Sequence, residues 1–363
     1  MTLVIGSERR FNIKFSPGKD TEISSLTSVR GICVLLVITV HLLPYLSFTN
    51  DINYNFGNTG VIGFFTLSSF LICKNLFNNE FSYRKFIVRR IIRIYPLFVI
   101  NLLVFTLIVN YLSSVKGNYS NFRYFHIQEW FLLVGNFGDA ADSRTPFSHL
   151  WSIPVEMHFY LLLPLLAFIN KSRRNYIIVI LIAFSCLLNY QLVFQQRIDS
   201  IWIFTTSHLG SFCIGAIIAN NELLLKRFDY SKETLILLFP CVLLLSSASS
   251  FYNGRFSGVN YLVASIFFGL LILLSLGGKH TKKRGGFLVF FGKRSYSIYL
   301  VHYSIIYVFV SYYPGGELTR GSASLQQVAL CLIIIVIVGC LEFEILERPI
   351  LKLKSKVRFI ENR

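Results

Sequence analysis

The chain has 363 residues, 54% of them hydrophobic and only 15% charged, with a formal net charge of +17. A soluble domain carries about a quarter charged residues, so an ordinary water-soluble fold is excluded. The basic residues lie between apolar runs and form no nucleic-acid patch. Each run approaches the roughly 20 apolar residues needed to cross a bilayer. The fold expected is therefore all-α, a polytopic transmembrane bundle of about ten spans. It divides into a tail over 1–25, one membrane domain over 26–347 and a basic tail over 348–363.

Residues 1–25 are polar and lack an apolar core followed by a small-residue cleavage site, so the first span is expected to be an uncleaved anchor. Spans are placed at 27–46, 59–77, 91–112, 148–168, 175–192, 200–220, 234–252, 258–277, 287–311 and 325–345. Cytoplasmic flanks attract Lys and Arg. With these spans, 29 of the 35 basic residues fall on one side, together with both ends of the chain. A wrong span count would scramble that alternation. Both termini are thus expected in the cytoplasm, and the long 113–147 loop outside, with an interfacial or re-entrant piece near 128–137. The seven cysteines, Cys33, Cys73, Cys186, Cys213, Cys241, Cys331 and Cys340, all lie in or beside apolar runs without a Cys-x-x-Cys pair. They read as small buried hydrophobes, and no metal site is expected.

Ionisable groups inside spans are costly and usually face a cavity or a partner. In the first span, Arg30 and His41 are eleven residues apart, hence on one helix face, with His41 ~16 Å beyond Arg30. The plainer alternative is a snorkelling arginine and a histidine bonded to a neighbouring carbonyl. Gly60 and Gly63 in the second span suit close helix packing, and Ser68 and Ser69 an interhelical hydrogen bond. Arg89, Arg90 and Arg93 head the third span, either as lipid-facing anchors or as a phosphate clamp. In the fourth, Glu156 lies deep between Pro154 and Pro164, with His149 on its face seven residues earlier. A carboxylate there must be protonated, paired or facing water. The ninth span carries Tyr296, Tyr299, His302 and Tyr303. Near the end of the tenth, Glu342, Glu344 and Glu347 are expected to pair with the basic residues around them.

Taken in order, R-x10-H from Arg30 to His41, GVIGFFTLSSFLI, RRIIRIYP, WSIPVEMHFYLLLP, RSYSIYLVH and ERP closely resemble the acyltransferase 3 family of bacterial membrane O-acyltransferases. The resemblance runs from about residue 27 to 350. It implies transfer of an acyl group, foremost acetyl, from acyl-CoA to a hydroxyl of a cell-surface glycan such as an O-antigen or exopolysaccharide. Its setting would be the bacterial inner membrane, with membrane lipids around it, a carbohydrate or lipid-linked glycan acceptor and no permanently bound cofactor. It makes His41 and Glu156 catalytic, and Arg30, Arg90, Arg93, His302 and Tyr299 substrate-binding. Ser69 departs from the family's usual Gly, and Met157-His158 from its common Glu-Gln. The hydrolase-like extracytoplasmic domain of some relatives is expected to be missing. A transporter or flippase for a glycan or acylated compound is the rival; broken helices in paired halves would favour it, and the sequence has no internal symmetry. Counting rise along the first, fourth and ninth spans sets His41, Glu156 and His302 at one depth. One shared cavity is expected, with His41 and Glu156 in direct or water-mediated reach.

Overall fold

A computed structural model of the chain describes residues 24–46, 57–78, 82–116, 127–137, 145–194, 203–222, 257–277, 286–314 and 317–352. All regular elements among them are helical. They are α1 (Ser24–Leu42), α2 (Gly57–Asn78), α3 (Tyr83–Val115), α4 (Ile127–Phe131), α5 (Ser152–Leu162), α6 (Lys171–Phe194), α7 (Leu209–Asn220), α8 (Ser257–Gly277), α9 (Phe287–Lys293), α10 (Ser295–Ser311) and α11 (Leu325–Glu342). Six stretches are long and apolar enough to cross a membrane: Ser25–Tyr45, Thr59–Phe77, Tyr83–Val115, Ser148–Phe168, Lys171–Leu192 and Leu325–Lys352. Tyr261–Leu276 and Ser295–Ser311 are shorter apolar helices. The span expected at 234–252 lies outside the described residues, as do both tails beyond 24 and 352.

Three expected spans are broken. The stretch 148–168 begins as a 3-10 turn, runs as α5 and returns to 3-10 at Leu163–Phe168, where Pro164 sits in the first turn. Proline has no N–H to give the preceding turn, so the α-helix stops there. The ninth breaks at Arg294 into α9 and α10. The sixth is a 3-10 turn, Thr205–His208, followed by α7. At ~1.5 Å per residue, a 12-residue helix is ~18 Å long and cannot alone span a ~30 Å core. In contrast, α3 starts eight residues before its expected boundary, so Arg84, Lys85, Arg89 and Arg90 ride on the helix.

The bundle is built around α1 and α2. α1 packs on α2, α8, α9 and α10, and α2 also packs on α7 and α8. Their apolar windows are 56% and 67% buried, against 17% for α6 and for α11. α1 and α2 are therefore the inner helices, and α6 and α11 the outer ones. The α1–α9 crossing is the closest of these. Side chains at Gly31 and Gly292 would overlap the backbones of Leu288 and Thr27 respectively. Gly60 and Gly63 fill the packing role expected of them, lying against Cys33 of α1.

The far end of α1 is pinned by the loop before α11. Gly321 N–H donates to Pro44 O at 3.0 Å and Ala323 N–H to Tyr45 O at 2.8 Å. A capping box then starts α11, with Ser324 and Gln327 each accepting the other's backbone N–H. Because the α1–α9 seam has no room for a side chain, Gly292→Val should destabilise the fold by about 1–3 kcal/mol or more. Thermal unfolding of the purified protein in lipid, compared with the wild type, measures it.

Candidate active site

His41 lies in the last turn of α1, half-buried. Its Nδ1 is 2.8 Å from the Val37 carbonyl oxygen, one turn back. A carbonyl can only accept, so Nδ1 carries the proton and Nε2 is the ring's free basic nitrogen. On the other side, His302 of α10 brings its Nε2 to 3.3 Å from the same Nδ1. His302 is fully buried, and its own Nδ1 donates to Tyr299 O at 2.6 Å. His149, from the 3-10 turn before α5, packs edge-on to His302 with ring centroids 4.9 Å apart. It donates Nε2–H to Leu300 O at 3.0 Å, which leaves Nδ1 a buried nitrogen without a hydrogen-bond partner. The Tyr303 ring approaches His41 at 5.0 Å and His149 at 5.4 Å. Four rings from three segments thus enclose one small polar centre. Among the described residues, no three His, Cys, Asp or Glu groups are placed to share a metal ion.

Glu156 stands in a second cluster. Its Oε1 accepts from Ser68 of α2 at 2.7 Å and from the Tyr160 hydroxyl one turn along α5. The Arg90 guanidinium lies 5.0 Å from the Tyr160 ring centre and 5.3 Å from that of Phe86. Arg30 is within electrostatic reach of Arg93, Arg90, Tyr160 and Glu156. The structure therefore brings Arg30, Arg90, Arg93 and Glu156 into one charged region and His41 and His302 into another. Glu156 and His41 share no hydrogen bond.

Tyr299 joins the two regions. Its hydroxyl donates to His149 O at 2.6 Å and accepts from Ser152 Oγ at 2.7 Å. Ser152 lies one turn before Glu156 on α5. Ser304 Oγ adds a bond to Pro146 O at 2.8 Å, so the 145–152 segment is stitched along α10. The polar atoms of Tyr299 and His302 are engaged by protein.

A sequence model of the acyltransferase domain of the acyltransferase 3 family matches residues 23–343. The chain belongs to that family. It is 27% identical over 366 residues to YrhL of Bacillus subtilis, a candidate peptidoglycan O-acetyltransferase, with 90% of this chain and 55% of the relative covered. It is 28% identical over 345 residues to the O-acetyltransferase OatA of Staphylococcus aureus, covering 86% and 54%. An uncharacterised Haemophilus influenzae protein is 25% identical over 241 residues, covering 58% of this chain and 95% of its own. The chain spans about half the length of the first two relatives. No solved structure matches it.

Within this acyltransferase 3 chain, the two departures from the family pattern turn away from His41. Ser69 is buried and donates to Phe212 O of α7 at 2.5 Å, a packing role. His158 bonds Thr205 Oγ1 at 2.9 Å and stacks on Phe137, holding the 127–137 segment against α5. Tyr95 of α3 donates to Phe131 O at 3.0 Å in the same segment.

The acidic end of α11 requires a correction. Glu344 forms salt bridges to Arg294 at 3.0 Å and Arg348 at 2.6 Å, and Glu347 lies only within electrostatic reach of Arg93 and Arg30. Glu342 turns inward to Asn101 at 2.5 Å, and Glu347 accepts from Ser297 Oγ at 2.6 Å. The cause is a π-turn over Phe343–Glu347. Five residues along an α-helix rotate a side chain by about 140°, whereas an i→i+5 turn stacks them. Glu342 and Glu347 therefore share the inner face.

His149, Ser152, Ser68 and Tyr160 are the contact-making residues that sequence reasoning did not place in the site. His149 carried a signal in its helical register with Glu156, and Ser68 in its expected interhelical hydrogen bond, which it makes to Glu156. Because Tyr299→Phe would leave Ser152 Oγ and His149 O without their buried partner, it should cost about 1–3 kcal/mol. The check is the thermal midpoint of the variant in lipid nanodiscs against wild type.

Proposed function

We propose that this chain is an O-acetyltransferase of the bacterial inner membrane that moves acetyl from acetyl-CoA to a hydroxyl of a cell-surface glycan. One observation carries the reading. α1 holds an arginine inside a cluster of positive charge and, ~16 Å further along, a histidine whose ring orientation leaves Nε2 open. That distance separates a phosphate-binding end from a proton-accepting end on one rigid element.

At the first end, Arg93 and Arg90 lie in the field of Arg30, and the carboxylate of Glu347 lies in that of Arg93 and Arg30. Guanidinium groups recognise phosphate oxygens by paired N–H donors, so the three suit the anionic end of the donor. At the second, His41 is the general base. The acceptor hydroxyl passes its proton to Nε2 as its oxygen bonds the acetyl carbon. The carbon–sulfur bond breaks, and the proton moves from Nε2 to the departing thiolate sulfur. The Nδ1–H bond to Val37 O keeps the ring in the tautomer this needs. Glu156, held by Ser68 and Tyr160, shapes the region between the arginines and the histidine.

The names of the relatives make a peptidoglycan sugar the first acceptor to test, and O-antigen or exopolysaccharide the second. Ten spans with both ends in the cytoplasm place the arginine end of α1 on the acetyl-CoA side. The basic residues support that arrangement, and a cytoplasm-dependent reporter tests it. Fused after Arg363 or within 279–286 it should be active, and within 116–145 silent. Signal on the wrong side at either site rejects the topology.

Chemistry is tested with mass spectrometry of surface glycans from expressing and non-expressing cells, and with labelled acetyl-CoA in membranes. Wild-type protein should add 42 Da per acetyl, as acetyl replaces one hydroxyl hydrogen. Loss of a general base costs ~10²–10⁴-fold, so His41→Ala should fall to background at normal expression. Arg93→Ala should raise the KM for acetyl-CoA, and Arg93→Lys should restore it only in part, because the paired donors are lost. Unchanged kinetics in both variants would remove these residues from the reaction.

A further inference from the structure

The acyl-transfer reading assigns His302 no chemistry of its own, yet it is among the most enclosed polar residues in the protein. It is 0% exposed, sits on α10 across from α1, and has His149 and Tyr303 packed around it. Both ring nitrogens have partners of known polarity. Nδ1 faces Tyr299 O at 2.6 Å and so holds a proton, which in a neutral imidazole makes Nε2 a lone pair. That lone pair faces His41 Nδ1 at 3.3 Å, and His41 Nδ1 in turn must hold a proton because of Val37 O at 2.8 Å. The donor and acceptor roles along the chain Val37–His41–His302–Tyr299 are mutually consistent. Reversing either ring would set a lone pair against a carbonyl.

We infer that His302 is a positioning residue for this acyltransferase: its Nε2 accepts part of the Nδ1–H bond of His41, holding the His41 ring so that Nε2 faces the reacting hydroxyl. The inference rests on His41 being the general base, and explains two further observations. Val37 O is also the natural acceptor for His41's own backbone N–H, one helical turn on, so it is a shared partner. A second acceptor limits swinging of the ring about its side-chain bonds. When His41 takes the substrate proton, the new charge is also met by the His302 lone pair in a region where lipid and apolar side chains offer nothing. An aspartate does this for histidine in the serine hydrolases. Here a neutral imidazole does it without placing a second carboxylate in the membrane interior.

The arrangement predicts a difference between two substitutions at one position. His302→Gln keeps an acceptor oxygen near the place of Nε2, and His302→Leu keeps only bulk. In vesicles supplied with acetyl-CoA and acceptor glycan, His302→Leu should lower kcat by about 10²-fold with the KM for acetyl-CoA unchanged. His302→Gln should regain kcat to within about tenfold of wild type. A second readout is independent of turnover. Nitrogen NMR of histidine-labelled protein in lipid should show His41 with its proton on Nδ1 in wild type and His302→Gln. In His302→Leu the proton should stay on Nδ1, held by Val37 O, but the His41 ring should become mobile and its signals broaden.

A folded His302→Leu variant with wild-type kcat and unbroadened His41 signals overturns the inference. So does equal loss in the Gln and Leu variants, which would make ring packing the requirement. Retained activity in His41→Ala would instead bring down the general-base reading, and the ring-mobility measurement would still decide whether His302 orients His41.

Discussion

Lipid offers no hydrogen bonds, so every N–H and lone pair brought into the bilayer must be met by protein. For a histidine this condition does more than stabilise. Satisfying one nitrogen fixes the tautomer and thereby chooses which nitrogen is left for chemistry. Val37 O fulfils it for His41, and the rest of the centre follows from keeping that ring in place. α1 must be enclosed by other helices, its outer end must be tied down by the 321–323 loop, and α10 must bring His302 alongside. The glycines at the α1–α9 crossing belong to the same requirement, because α9 leads directly into α10 through Arg294.

The charged region and the imidazole region differ in how they handle their groups. Around His41 the polar atoms are met by carbonyls and by other rings, with no charge partner in contact. Around Arg30 and Arg93, charges of both signs gather: Arg90 and the carboxylates of Glu156 and Glu347 lie within electrostatic reach, and Glu156 also accepts from two hydroxyls. Like charges so close are unfavourable unless opposite ones offset them, and the two carboxylates supply that offset.

Much of this could be read from the sequence because membrane helices are written plainly in apolar runs. The register of Arg30 with His41, and the depth shared by His41 and His302, needed only helix geometry. What was not legible depended on backbone irregularity. Glu342 and Glu347 were expected at the basic edge since an α-helix would fan them apart; the π-turn that aligns them leaves no mark in residue type. Ser68 and Ser69 are adjacent and chemically alike, yet one bonds Glu156 and the other packs on α7, a difference set by which neighbour each face meets.

The places where the helices depart from regular geometry carry a last argument. Irregular backbone frees N–H and C=O groups, and within a bilayer it is tolerated only inside protein or along a water-filled cavity. Here the departures include 3-10 turns on both sides of α5, the 3-10 turn leading into α7, the break at Arg294 and the π-turn below Glu342. Several of the segments that carry them also supply the polar contacts, His149 and Ser152 beside α5, Ser297 and His302 beyond Arg294, Glu347 in the π-turn. α6, which supplies none of these groups, is regular from Lys171 to Phe194 and faces outward. Regular α6 forms part of the outer wall, and the irregular segments supply several of the side chains that converge from distant parts of the chain.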